Sequence, residues 1–94
     1  METIEKLFDN GKYLAFPMTK IDLALNLIKV IDDYTARKIN NEELKTIIYH
    51  YVNNVPELLF NGPYDYNATI KAKLGVRRIT VIEHALKGFQ QKMF

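Results

Sequence analysis

Thr19-Lys20-Ile21-Asp22-Leu23-Ala24-Leu25-Asn26-Leu27-Ile28-Lys29-Val30-Ile31-Asp32-Asp33-Tyr34 is the stretch whose reading decides the fold. Apolar residues fall at 21, 23, 24, 25, 27, 28, 30, 31 and 34. That stripe is wide, so it predicts a central helix buried on more than one side. Thr19 is placed as its N-cap, and Asp22, three residues on, makes a variant of the capping box. Met18 and Leu23 stand where a hydrophobic staple forms. The helix is expected to end near Arg37-Lys38, cations that suit a negative helix C-terminus.

Working towards the C-terminus, Asn40 and Glu43 again have capping-box spacing. Leu44, Ile47, Ile48, Tyr51, Val52 and Val55 follow at i, i+3, i+4, i+7, i+8 and i+11, which predicts an amphipathic second helix. Asn53-Asn54 fray it, and Pro56 ends it or opens a short turn through Phe60. Asn61-Gly62-Pro63 is a loop. A short third helix is expected from Tyr66 or Asn67 to Leu74, with Gly75 just past it in a left-handed turn. A fourth runs from about Arg77 to Gln90, burying Ile79, Ile82, Leu86 and Phe89. Working back from Thr19, Asp9-Asn10-Gly11 is a turn signal, and Tyr13-Leu14-Ala15-Phe16 is an extended piece stopped by Pro17. A short helix or a small hairpin fits this arm. The expected fold is all-α: a small bundle of about four helices with a C-terminal helix-turn-helix-like pair and a short irregular N-terminal arm. The chain makes one domain, 1–94, with the arm at 1–17, a helical core at 19–60 and the helix pair at 66–92.

Composition narrows the function. Apolar residues make up 48% of the 94 and charged residues 26%, an ordinary globular balance. There is no cysteine, which excludes disulfides, thiolate catalysis and cysteine-ligated zinc. Met1-Glu2-Thr3-Ile4-Glu5-Lys6 lacks a signal-peptide pattern, and no apolar run approaches the roughly 20 residues of a membrane span, so a cytoplasmic protein with no membrane association is expected. Charge is uneven. Residues 1–65 carry seven basic and ten acidic side chains, whereas residues 66–94 carry six basic and one acidic. Such asymmetry fits an acidic partner at the basic end, or a solvated lysine-rich helix face.

Residues 67–86 bring that basic end into a recognisable pattern. A short helix, a glycine turn and a second helix opening with basic and hydroxyl residues resemble a helix-turn-helix. Leu74-Gly75-Val76-Arg77-Arg78-Ile79-Thr80-Val81 is similar to the turn and recognition-helix start of many bacterial repressors. On this reading Ile70, Leu74, Val76 and Val81 pack the two helices together. Arg77, Arg78 and Thr80 stand at the exposed start of the second helix, facing base edges or phosphates of double-stranded DNA, and Lys71 and Lys73 contact phosphates. The pattern departs where Lys71 replaces a small residue and His84 replaces an apolar one. An ordinary helix–glycine–helix corner without DNA is the competing reading.

A second resemblance covers Tyr13 to Leu86. Asp32-Asp33-Tyr34, Lys38-Ile39-Asn40-Asn41-Glu42-Glu43-Leu44 and Lys73-Leu74-Gly75-Val76-Arg77-Arg78 with Ile82-Glu83 resemble a family of short, functionally uncharacterised bacterial proteins of low-GC Gram-positive organisms and their mobile elements. The resemblance implies a stand-alone helical protein and carries over no catalytic residues.

Other candidates read more simply. His50, between Tyr49 and Tyr51, and His84, beside Glu83, have no partner at metal-ligand spacing, so no metal and no cofactor is expected. Asp32 and Asp33 point about 100° apart on a helix and do not share a proton or an ion. No phosphate-binding glycine loop occurs, and an enzyme is not expected. Tyr64 and Tyr66 bracket Asp65 and either form an aromatic contact for a partner or cap the core edge. Phe89, Met93 and Phe94 suit a homodimer interface if exposed. The leading expectation is a small, dimeric, DNA-binding or transcription-regulating protein of helix-turn-helix type. The alternative is a non-enzymatic protein-interaction module, such as an accessory or inhibitor protein, with no nucleic acid. DNA binding requires Arg77 and Arg78 free of the acids on earlier helices; the interaction reading requires an exposed apolar patch elsewhere.

Overall fold

The computed structural model describes Phe8, residues 13–61 and residues 65–87. Among them are four helices: α1 (Lys20–Thr35), α2 (Asn41–Asn54), α3 (Pro56–Leu59) and α4 (Ala68–Leu86). No strand occurs among the described residues, and the fold is a small all-α bundle. Helices α1, α2 and α4 each touch the other two, and the α1–α4 seam is the most extensive. The short α3 lies against α1 and α2.

Local chemistry fixes the helix starts. Asn40 Oδ1 accepts from the Glu43 amide at 2.8 Å and Glu43 Oε1 accepts from the Asn40 amide at 2.9 Å, a complete capping box. Thr19 Oγ1 accepts from the Asp22 amide at 3.0 Å. The expected staple is not made: Met18 is 83% exposed. Asn67 caps α4 by accepting from the Thr69 amide at 2.8 Å. Pro56 stands in the first turn of α3, where its missing N–H costs nothing.

The end of α1 is set by backbone geometry rather than by the charge of Arg37-Lys38. The Lys38 amide donates to the Asp33 carbonyl at 2.8 Å and the Arg37 amide to the Tyr34 carbonyl at 3.0 Å. This is the Schellman arrangement, with Arg37 at the left-handed position, φ 65°. An arginine stands where glycine is usual.

The core follows the expected periodicity closely on α2. Leu44, Ile47, Ile48, Tyr51, Val52 and Val55 are all buried. On α1, Leu23, Ala24, Leu27, Val30 and Ile31 are buried, but Ile21 and Leu25 are exposed. The stripe is wider than its neighbours can cover. Between residues 59 and 67 the chain closes a loop through a Phe60–Tyr66 bridge and an Asn67 amide bond to the Leu59 carbonyl at 2.8 Å.

The third and fourth expected helices are one element broken at a single residue. Gly75 takes φ 82°, ψ 167°, with helix on either side. Positive φ was expected, but ψ is extended, a region that only glycine enters readily. Ile70 and Leu74 before the joint and Ile82 and Ala85 after it are buried, so both segments hold the core. Val76, expected to pack the segments together, is instead 84% exposed. A helix-turn-helix uses a turn of three or four residues; this joint uses one.

Two glycine-logic substitutions should move stability in opposite directions. A Cβ at Gly75 would meet nothing within 4 Å, so any penalty is conformational. Gly75→Ala should cost about 1–3 kcal/mol. Arg37→Gly should stabilise by about 1 kcal/mol by relieving left-handed strain. Urea denaturation of both variants checks the pair; a neutral Gly75→Ala would mean that α4 does not need the joint.

Candidate contact surfaces

The residues expected to read DNA differ in their surroundings. Lys71, Lys73, Arg77 and Thr80 are exposed. Arg78 turns inward. Its Nε lies 3.2 Å from Asp32 Oδ1 and its Nη2 lies 3.3 Å from Asp32 Oδ2 on α1. Nη1 donates to the Leu74 carbonyl at 3.2 Å, at the end of the first α4 segment. Arg78 therefore bridges α1 to the joint. The Thr80 hydroxyl donates to the Val76 carbonyl at 2.9 Å, within its own helix. Tyr66 is half-buried with its ring 5.4 Å from that of Phe60, which makes it an edge of the core. Tyr64 lies outside the described residues, as do Phe89, Met93 and Phe94.

A second surface involves residues that the sequence reading passed over. Residues 13–18 form an irregular, bent strip whose burial alternates: Tyr13 and Pro17 are buried, Ala15 is half-buried, and Leu14, Phe16 and Met18 are exposed. Side chains from the helices grip this strip by its backbone. Asn26, buried in α1, accepts from the Leu14 amide at 2.8 Å and donates to the Asp22 carbonyl at 2.9 Å. Tyr51 donates to the Leu14 carbonyl at 2.7 Å. His50 Nε2 lies 2.6 Å from the Ala15 carbonyl oxygen. A carbonyl only accepts, so Nε2 carries the proton. Nδ1 is then placed to accept from Asn54 Nδ2 at 3.2 Å. Tyr13 donates to Asp33 Oδ2 at 2.6 Å, which anchors the start of the strip to α1.

These bonds fix the backbone and leave large apolar side chains in water. Phe16 is 63% exposed, although one edge of its ring meets His50 at 5.2 Å. Leu14 and Met18 of the strip are exposed as well, as are Ile21 and Leu25 in the first turns of α1. Asn26 interrupts the apolar stripe of α1 and is buried, and a buried amide needs partners, which the strip's backbone supplies.

No group of three or more His, Asp or Glu side chains able to hold a metal occurs among the described residues. No helix among them is long and apolar enough to cross a membrane.

With this geometry in place, the comparisons add a family. The sequence model of a family described as a conserved hypothetical protein matches residues 14–87, from the gripped strip through the end of α4. The chain belongs to that family. No curated protein and no solved structure matches it.

The grip can be tested without reference to function. Asn26→Ala should speed hydrogen exchange of the Leu14 amide and leave the α2 core amides unchanged. Tyr51→Phe should cost about 0.5–1.5 kcal/mol, one hydrogen bond in net terms. The phenols also set an alkaline limit. Burial raises Tyr13 and Tyr51 above their ordinary value of 10.0, and the Asp33 carboxylate raises Tyr13 further. Burial first, and then Glu83, pushes Tyr66 up to about 12. The unfolded chain releases these protons first as pH climbs. Stability should therefore be intact below pH 10 and fall as pH rises from 10.0 towards 12, with a shallower fall in Tyr66→Phe, measured by urea midpoints across that range.

Proposed function

We propose that this chain is a non-enzymatic interaction module that works by contact with a protein partner. The contact surface is the apolar strip of Leu14, Phe16 and Met18, continued by Ile21 and Leu25. One observation carries the reading: polar side chains of α1 and α2 hold the strip's backbone while its apolar side chains stay in solvent. A loose tail would not use three helix side chains to do this. Contiguous exposed apolar surface is a mark of an interaction site, and a fixed backbone lowers the ordering cost of binding. The cysteine-free composition suits a cytoplasmic encounter.

The helix-turn-helix reading, with Lys71, Lys73, Arg77, Arg78 and Thr80 on double-stranded DNA, is less well supported. It needs both arginines free, and Arg78 is engaged by Asp32. Homodimerisation through the apolar strip is an alternative occupant of the same surface.

The experiment compares the wild type with Phe16→Asp/Met18→Asp. Both side chains are exposed, so the variant should keep its far-ultraviolet circular dichroism and thermal midpoint. A partner captured by the wild type in lysate of the source organism would be purified and titrated. Support is a discrete complex that the double variant weakens by about thirty-fold or more, the effect of losing a hot-spot contact of about 2 kcal/mol. A wild type that sediments as a dimer, with a monomeric variant, would assign the strip to self-association. A complex indifferent to both substitutions would remove the strip from the proposal.

A further inference from the structure

We infer that the outward flank of α4 beyond the joint is a phosphate-contacting surface for duplex nucleic acid, centred on Arg77, His84 and Lys87. The inference is independent of the apolar strip. It also differs from a recognition head, because it uses the helix flank and leaves Arg78 out.

At about 100° per residue, Arg77, His84, Thr80 and Lys87 fan across about 80° of one face. All four are exposed. The opposite face carries Ile82 and Ala85, both buried, together with Arg78. Both arginines border the cleft against Asp32 and Thr35 of α1, but Arg78 is paired there, while Arg77 is exposed and has no ion pair among the described residues. Thr80 turns its hydroxyl proton to the Val76 carbonyl, within its own helix. Lys71 and Lys73 are exposed on the segment leading into the joint. Ten residues from Arg77 to Lys87 span about 15 Å of helix axis, enough to follow several successive phosphates of one strand. Glu83 borders the stripe beside His84 and Lys87, and it is the one acid among residues 66–94. Its position opposes an anion and sharpens the test.

The experiment is fluorescence anisotropy of a labelled random duplex, titrated across a fourfold range of salt. Each phosphate contact contributes about 0.9 to the slope of log affinity against log salt. A slope near −2 would count Arg77 and Lys87 alone, and one near −4 would add Lys71 and Lys73. Arg77→Ala/Lys87→Ala should flatten the slope by about 1.8 and weaken binding at low salt by about ten-fold or more. Glu83→Gln should strengthen binding a few-fold. Arg78→Ala, if still folded by circular dichroism, should leave the slope unchanged. Three results would overturn the inference: no binding at tens of micromolar in low salt, binding that the Arg77/Lys87 variant retains, or equal binding to poly-glutamate, which would make the stripe a generic polyanion contact. Phe16→Asp/Met18→Asp serves as the control, since it disables the apolar strip and leaves this stripe intact.

Discussion

At Gly75 the backbone takes φ 82° and ψ 167°, and the course of the last third of the fold depends on that one conformation. With it, Ile70 and Leu74 on one side and Ile82 and Ala85 on the other all reach the core. The joint also decides which charges are available. It leaves Val76 in water and brings Arg78 back against the Leu74 carbonyl beside the joint. Asp32 then completes the bridge to α1. Exposed ion pairs are worth little on their own. Here the same guanidinium also satisfies a backbone carbonyl at a helix break, so its placement follows from the joint more than from the pairing.

A comparable logic governs the other end of the chain. The strip at 13–18 is held in two ways: Tyr13 and Pro17 are buried, and polar side chains of the helices reach out to its backbone. Asn26, His50 and Tyr51 substitute for the backbone partners that a neighbouring strand would supply. Each such bond contributes about 1 kcal/mol net. Fully burying a side chain such as Phe or Leu contributes about 1.5–3 kcal/mol. A strip held by the weaker kind of interaction, with Leu14, Phe16 and Met18 left outside, keeps most of its apolar energy for whatever covers it.

Much of this fold was legible in the sequence where one local rule acts alone. The Asn40–Glu43 cap, the five buried positions of α2 and the buried Val55 at its C-cap follow from spacing, because α2 meets its neighbours along one regular face. The central place of α1 was legible too, but its stripe was over-read. Periodicity counts apolar residues without saying how many faces have neighbours, so Ile21 and Leu25 looked like core and are surface. The roles of Asn26 and His50 were not legible, since both act across more than ten residues on the backbone of the strip. Gly75 was read correctly as a break, yet ψ determines where the following side chains point, and composition does not encode ψ.

Arg77 and Arg78 show what that missing angle does. They are neighbours of equal charge at the start of one helical segment, and the sequence offers no reason to treat them differently. A helix turns them about 100° apart. Once Gly75 sets the direction of the segment, both border the cleft against α1, but Arg78 is the one that pairs with Asp32, and Arg77 stays exposed at its rim. The charge excess of residues 66–94 is therefore not a single patch. Among the described residues Arg78 is paired with Asp32, and Lys71, Lys73, Arg77 and Lys87 are exposed on the two sides of the break. A functional reading of the basic end depends on that division, because only the charges left over after folding are available to a partner.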